Sequence, residues 1–472
     1  MTGIKRDAAG EDAARAPMET DLAPARRMWT GRQIAVLALL LATSVCSYVD
    51  RYILPLLQEV IKLELSLSDS ALGLATGPAF AMFYALSGVP VARLAERFDR
   101  RRLLAAAVGF WSLMTALSGT ATSLFTLVAY RFGVGAGEGG GVPTSHSLLS
   151  DHFPRHQRGM AMAVLSMGAP IAGILMPLVG GYVAHVWGWR AAFFVLGGAG
   201  LILALVILVT LRDPRVEGAA PRPEAANFRT DLRWLFGSPA FVWLFVAGAL
   251  MGIGQGGFGT FLPSFLMRVH ALDLVEAGAV LGIGGVVGVA GTFIGGYLAD
   301  RFAGARGRSY PLVCALSGAT TGACYLGALF QSAWPVAFAL LIVASCTSDM
   351  KTGPNYAAVQ NLVPARMRAT AAAVFMIAAT LIGSSIGPLL AGIVSDLTAS
   401  AAFPAAFGDF FRACPGGRAP EGSAAMLVEA CRAASAGGLE TALKLIALAY
   451  LGAAIAFYLC SRHFAPHEDD AA

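Results

Sequence analysis

Twelve apolar stretches, each long enough to cross a bilayer as a helix, leave this chain few ways to fold. They run over about 33–60, 70–93, 103–120, 124–149, 159–185, 190–211, 239–267, 275–299, 309–331, 335–360, 369–397 and 441–461. A hydrocarbon core about 30 Å thick needs roughly 20 residues of helix. With 56% hydrophobic and 13% charged residues among 472, the chain has too little polar surface to coat a soluble globule of its size. An all-α membrane protein is expected. The net charge of +5 is a matter of placement: Arg97, Arg100, Arg101 and Arg102 follow the second segment, Arg155 and Arg158 the fourth, Arg301, Arg306 and Arg308 the eighth, Arg366 and Arg368 the tenth. The positive-inside rule then puts both termini in the cytoplasm of a multi-pass protein of the cell membrane, the inner membrane in a bacterium. No nucleic-acid partner is expected.

Charges inside the apolar segments mark the functional centre. Tyr48-Val49-Asp50-Arg51-Tyr52 sets an acid beside a base within the first segment. An intramembrane charge costs about 2.5–3.5 kcal/mol even on the lenient scale, so both must face partners or a wet cavity. The fourth segment carries Arg131 and, seven residues on, Glu138; these lie on nearly one helix face, roughly 10 Å apart in height. Counting inward from the helix ends brings Asp50 and Glu138 to one level near mid-membrane.

Residues 212–238 are polar, with Pro214, Pro221 and Pro223, and divide the chain. The expected organisation is a cytoplasmic, disordered tail at 1–32 without a cleaved signal, a six-helix bundle at 33–211, a cytoplasmic linker at 212–238, a second bundle at 239–461 with an extracytoplasmic loop at 398–440, and a cytoplasmic tail at 462–472. The halves repeat. Ala92-Arg-Leu-Ala-Glu96-Arg97-Phe98 returns as Gly296-Tyr-Leu-Ala-Asp300-Arg301-Phe302, and Glu138, Pro143, Pro154 and Arg158 find counterparts in Asp349, Pro354, Pro364 and Arg368. Two parallel, pseudo-symmetric repeats around a central cavity fit this pattern.

Glu96-Arg97-Phe98-Asp99-Arg100-Arg101, its echo at Asp300-Arg301, Arg131-x-x-x-Gly135-x-Gly137, and Trp187-Gly188-Trp189-Arg190-Ala-Ala-Phe193 together resemble the major facilitator superfamily, over the whole chain. Tyr48-Val-Asp50-Arg51-Tyr52 with Arg131-Phe-Gly-Val-Gly-Ala-Gly-Glu138 resembles its Spinster-type members, whose animal representatives move lysophospholipids or sphingosine phosphate. The resemblance implies twelve helices in two bundles, with the first and fourth lining the cavity from one side and the seventh and tenth from the other. It also implies a gate at the inner end of helix 2, where Glu96, Arg97, Arg100 and Arg101 come within reach of Asp151 and of the start of helix 11; Asp300 and Arg301 repeat it. Asp99 replaces the glycine of the general motif and Ala303 alters the second copy.

The expected function is secondary active transport by alternating access. Asp50 and Glu138 would couple it to protons, because a movement that alters water access or breaks an ion pair changes a carboxylate's proton affinity. Arg51 and Arg131 offer cations to an anionic or amphipathic, lysolipid-like molecule. Tyr48, Tyr52 and His146, with Gln255, Asn355 and Tyr356 from the second half, are further contact candidates. A sugar acid, organic anion or drug is the alternative cargo; a non-transporting membrane sensor is the alternative of another class. The chain reads as no enzyme: Ser145 and His146 are neighbours pointing about 100° apart. Gly135–Gly140 matches GxGxxG but sits inside an apolar segment, where it serves helix packing. His152 and His156 have a metal-pair spacing interrupted by Pro154, so no metal and no cofactor is expected. Asp349 and Lys351, two residues apart, point to different faces. Expected partners are the small-molecule or lipid-like substrate, protons and membrane lipids, with the protein a monomer. Cys414 and Cys431 share the non-cytoplasmic loop and are expected to form a disulfide.

Overall fold

The computed structural model describes residues 29–213, 228–302, 307–364 and 367–464, whose regular structure is helical. The bulk of both expected tails and of the linker lies outside the described residues. Helix α1 (Gly31–Leu65) opens on a capping box, in which the Thr30 hydroxyl accepts from the Gln33 amide and the Gln33 side chain from the Thr30 amide; such reciprocal bonds satisfy two otherwise orphaned donors. Next come α2 (Asp69–Thr76), N-capped by Ser68, α3 (Pro78–Arg97), and α4 (Arg100–Ser118), N-capped by Asp99. The fourth segment is a broken helix, α5 (Leu124–Glu138) and α6 (Gly141–His152). The fifth runs through α7 (Arg155–Ser166), α8 (Gly168–Leu175), a π turn at Met176–Gly180 and α9 (Gly181–Trp187), and α10 (Trp189–Thr210) is the sixth.

A short helix, α11 (Phe228–Gly237), occupies the end of the expected linker and leads to α12 (Pro239–Val269), α13 (Leu274–Arg301) and α14 (Ser309–Leu329). The tenth segment is broken like the fourth, into α15 (Trp334–Asp349) and α16 (Thr352–Leu362). The eleventh repeats the π distortion of the fifth, with α17 (Arg368–Met376), a π stretch at Ile377–Ser384 and α18 (Ser385–Ala402). After α19 (Phe410–Ala413), α20 (Ala425–His463) is far longer than the expected 441–461, so the second part of the expected loop is helix. Cys414 and Cys431 are joined, with Cα atoms 5.7 Å apart.

Among the described residues ten helices are long and apolar enough to cross a membrane. The two other expected spans, α4 and the α5–α6 pair, are helical too but diluted by Arg100–Arg102 and by Arg131 and Glu138. Large apolar side chains face outward, Phe293 at 74% and Val209 at 72% exposure, as hydrocarbon allows. Buried ones gather in separate cores. Phe241, Phe261, Phe265 and Phe457 belong to one formed by the second half; Ile53, Leu57 and Phe193, and Leu40, Val108 and Ile207, belong to two formed almost wholly by the first.

The halves touch closely at one end, where α1 finishes and α2 begins. A Cβ on Gly73, Gly77 or Gly392 would lie 2.3, 2.2 or 2.3 Å from the backbone oxygens of Pro388, Ser385 or Asp69, and one on Gly278 would lie 2.6 Å from that of Pro177. Only glycine permits these approaches of α2 to α18 and of α13 to the π turn. In lipid, such close backbone packing replaces the hydrophobic drive between helices.

Candidate functional site

The break between α5 and α6 creates the polar centre. Gly139 packs on the Tyr84 carbonyl of α3, Gly135 on that of Phe80, and Gly137 on Trp111 of α4, so the glycine run serves packing as expected and carries Glu138 to the end of α5. There the fully buried Glu138 carboxylate accepts from the Ser47 hydroxyl at 2.8 Å and from Arg51 Nε at 2.8 Å, with Arg51 Nη2 also at 2.8 Å. Arg51 lies against Tyr48, Phe80 and Tyr84, its guanidinium carbon 5.1, 5.1 and 4.7 Å from their ring centres. These rings hold the cation by its flat face while Glu138 takes its edge.

Arg131 does not pair with Glu138, one helical face notwithstanding. It donates to the Asp50 backbone carbonyl at 3.0 Å and lies over Phe80. Both Asp50 carboxylate oxygens, Glu138 Oε1, Arg131 Nε, Trp111 Nε1, Ser112 Oγ and Thr115 Oγ1 are buried without a hydrogen-bond partner. Unsatisfied polar atoms are costly when buried, and here they converge between α1, α4 and α5. An acid–base group without fixed partners is able to take up or release a proton with little rearrangement.

Arg100 is almost fully buried and binds Asp151 at 2.6 Å, the Ser147 hydroxyl at 2.7 Å and Asp213 beyond α10. The Asp151 contact meets expectation; Asp213 was not anticipated, and it lies at the start of the linker while Ser147 and Asp151 belong to the first half. Arg101 contacts Asp99 at 3.4 Å. The side chains of Glu96 and Arg97 lie outside the described residues. In the second half Asp300 accepts from the Tyr310 hydroxyl at 3.1 Å, and Arg301 is exposed at the end of α13. Among the described residues neither Arg100 nor Arg101 makes the expected reach to the start of helix 11.

Tyr52 and Tyr356 are 37% and 41% exposed, and the Tyr48 and Tyr52 rings are 6.2 Å apart. Asn355 is buried with Oδ1 unpartnered. His146 and Gln255 are exposed on α6 and α12; among the described residues no hydrogen bond joins them to the Arg51–Glu138 pair.

The densest charge cluster escaped the sequence reading. At the closed end, Arg268 of α12 grips Glu59 (2.9 and 3.0 Å from Nε) and Asp69 (2.8 Å from Nη1 and from Nη2). Lys62 binds Asp69 at 2.7 Å, and the Ser395 hydroxyl donates to Asp69 at 2.6 Å. Asp396 of α18 accepts from the Asp69 and Ser70 amides at 3.0 and 2.8 Å, at the favoured N-terminal end of α2. Gln58 donates to the Thr260 carbonyl and to Ser264. Each of these residues sits near the end of an apolar segment, where a charge draws no notice; only the closure of the halves buries them.

Residues 39–388 match the model of the Major Facilitator Superfamily. The chain is 34% identical over 392 residues to an "MFS-type efflux pump" of Mycolicibacterium smegmatis, covering 81% of this chain and 89% of that one. To a "Probable L-galactonate transporter" of Escherichia coli it is 26% identical, over 78% and 84% of the two chains. The crystal structure of a bacterial homolog of the human lysosomal transporter Spinster, inward-facing and unoccupied, superposes with a TM-score of 0.82 at 27% identity, over 92% of this chain and 98% of that one. With these matches and an all-helical fold that buries Asp50, Arg131 and Glu138 within apolar helices, the chain belongs to the Major Facilitator Superfamily and is a multi-pass, Spinster-like membrane transporter.

Proposed function

We propose that this protein is a proton-coupled secondary transporter that carries an amphipathic or anionic small molecule by rocking two six-helix bundles about a central cavity. The observation that supports it is the Arg51–Glu138 pair at the α5–α6 break, beside an Asp50 carboxylate with no hydrogen-bond partner. While Glu138 is charged it holds Arg51. Protonation removes the charge that makes those hydrogen bonds strong, and Arg51 becomes available to an anionic group of the cargo. Asp50, one residue away on α1, would pass or share the proton. In this reading the positive-inside rule puts both termini in the cytoplasm, so the end sealed by the Arg268 cluster faces outward.

A lysolipid-like cargo follows from the Spinster likeness and from the aromatic, largely apolar surroundings of Arg51. A sugar acid is the second reading, favoured by the L-galactonate transporter relative, since a carboxylate would suit the same arginine. The monomer is the proposed working unit. In proteoliposomes Asp50→Asn and Glu138→Gln should abolish accumulation driven by a pH gradient, while at least one retains substrate exchange without a gradient. If both variants still concentrate substrate as the parent does, these acids carry no coupling proton.

A further inference from the structure

A groove of about 600 Å³ runs between the start of α1 and the end of α10, within the usual size of small-molecule sites, about 300–1,000 Å³. Arg32, Ala35 and Ala38 line it from α1, each three residues from the next and so neighbours along one side of that helix. Val206 and Thr210, one turn apart, line it from α10. The alanines are too short to fill the space between the two helices, which leaves it open. The Thr210 hydroxyl donates to the Val206 carbonyl at 2.7 Å, so it is satisfied within its own helix and the walls stay apolar.

Two cations stand at one end of this groove. Arg32 lies in the first turn of α1 and Arg212 two residues beyond α10; both line the groove and both are exposed. Among the described residues neither makes an ion pair or a side-chain hydrogen bond, and Asp213, next to Arg212, is bound by Arg100. The start of α1 is fixed from its other side, where Gln33 donates to the His152 carbonyl at 3.0 Å and the Trp29 ring meets Phe153 edge-on, 5.8 Å between centres. A tryptophan at the end of an apolar helix marks the depth of the lipid headgroups, so the arginines stand at that depth and the groove runs from it into the hydrocarbon. Its surroundings face lipid: Ile202, Leu205 and Val209 of α10 are 66%, 61% and 72% exposed.

An occupant must therefore offer an anion to two arginines and an apolar body to the walls beneath them. A phospholipid with a net negative headgroup does both, its phosphate meeting the guanidinium forks, whereas a zwitterionic lipid brings a cation of its own to the same place. Basic pockets between transmembrane helices on the cytoplasmic side take such headgroups. We propose that this groove seats one acidic phospholipid of the cytoplasmic leaflet, its headgroup held by Arg32 and Arg212 and one acyl chain lying between α1 and α10. The seat is separate from the polar centre, since Arg32 precedes Arg51 by 19 residues, about 28 Å along α1. The choice of leaflet rests on the positive-inside rule; the seat itself depends on neither the cargo nor the proton.

The test is lipid retention by the purified full chain. Protein is extracted in mild detergent from vesicles of equal parts phosphatidylglycerol and phosphatidylcholine with matched chains, and the lipids that stay bound are counted by native mass spectrometry. The parent should retain one phosphatidylglycerol, favoured roughly tenfold or more over phosphatidylcholine. Arg32→Gln combined with Arg212→Gln, at two exposed positions that the fold does not need, should bring that preference within about twofold of parity. Ala38→Phe, which keeps both cations and fills the groove, should lower the retained phosphatidylglycerol at least about fivefold. Excess glycerol phosphate, which carries the anion without the chain, should not displace the lipid. No preference in the parent, as when another segment of the chain fills the groove, overturns the seat. So does a preference that survives either variant, and so does displacement by glycerol phosphate, which would mark a plain anion site.

Discussion

Removing Arg268 is expected to unseal the closed end of the molecule. Its side chain is 6% exposed and those of Glu59 and Asp69 are 4% and 3% exposed, so all three charges are out of water. The cluster sets three acids, Glu59, Asp69 and Asp396, against two bases, Lys62 and Arg268. In Arg268→Ala, Lys62 still holds Asp69, but Glu59 loses every ion pair it has among the described residues. Truncating one partner of a buried pair costs about 3–5 kcal/mol, because the other charge stays buried alone. Opening this end would return Glu59 to water, so the cost falls on the sealed form. At about 1.4 kcal/mol per factor of ten, the balance should move roughly a hundredfold to several thousandfold toward opening. Labels at Ser66 and Pro404, both exposed at this end, should report a longer separation by distance spectroscopy. The double variant Glu59→Gln, Arg268→Ala removes the stranded charge and should recover part of the shift. Unchanged distances in the single variant, or a double variant no nearer the parent, would refute the argument from uncompensated charge.

Two further outcomes test other parts of the molecule. Arg100→Ala removes a guanidinium, 2% exposed, that binds Asp151, Ser147 and Asp213 together and should cost about 3 kcal/mol of stability, whereas Asp151→Asn, at a carboxylate 42% exposed, should cost about 1 kcal/mol or less; thermal unfolding of the two variants checks the order. Cys431→Ser opens a loop of sequence separation 17 and should cost about 3 kcal/mol in the chain-entropy model, read as faster proteolysis between residues 403 and 425 in the variant than in the parent.

The sequence made the spans legible because a membrane helix announces itself over some twenty residues, and it made the central charges legible because lipid forbids unpartnered ones. Arg51 meeting Glu138 follows from that prohibition. Which arginine would take the acid did not follow: Arg131 shares a face of α5 with Glu138 but stands about 10 Å away along the axis, and which residue of α1 meets Glu138 is set by packing that hydropathy does not record. The length of α20 was hidden for the opposite reason: Ala425–Glu440 is too polar to read as a span, yet it is held as helix beside the Cys414–Cys431 bridge. The Arg268 cluster depends on tertiary closure alone. Its members come from α1, α2, α12 and α18, and nothing local in any of the four segments distinguishes them from ordinary helix-end charges.

The internal repeat carries the argument one step beyond the single residues. Both copies keep the broken helix, the acid at the break, and the distorted helix that follows, with π geometry at Met176–Gly180 and again at Ile377–Ser384. π turns inside helices often mark sites where a helix bends, and here they recur in the same helix of each repeat. The copies differ in their charges: α1 carries Asp50 and Arg51 midway along its length, whereas α12 carries no acid or base before Arg268. Shape is therefore what the two halves share, and the charges beside the two breaks are where they differ, the first half holding its acid by an arginine of α1.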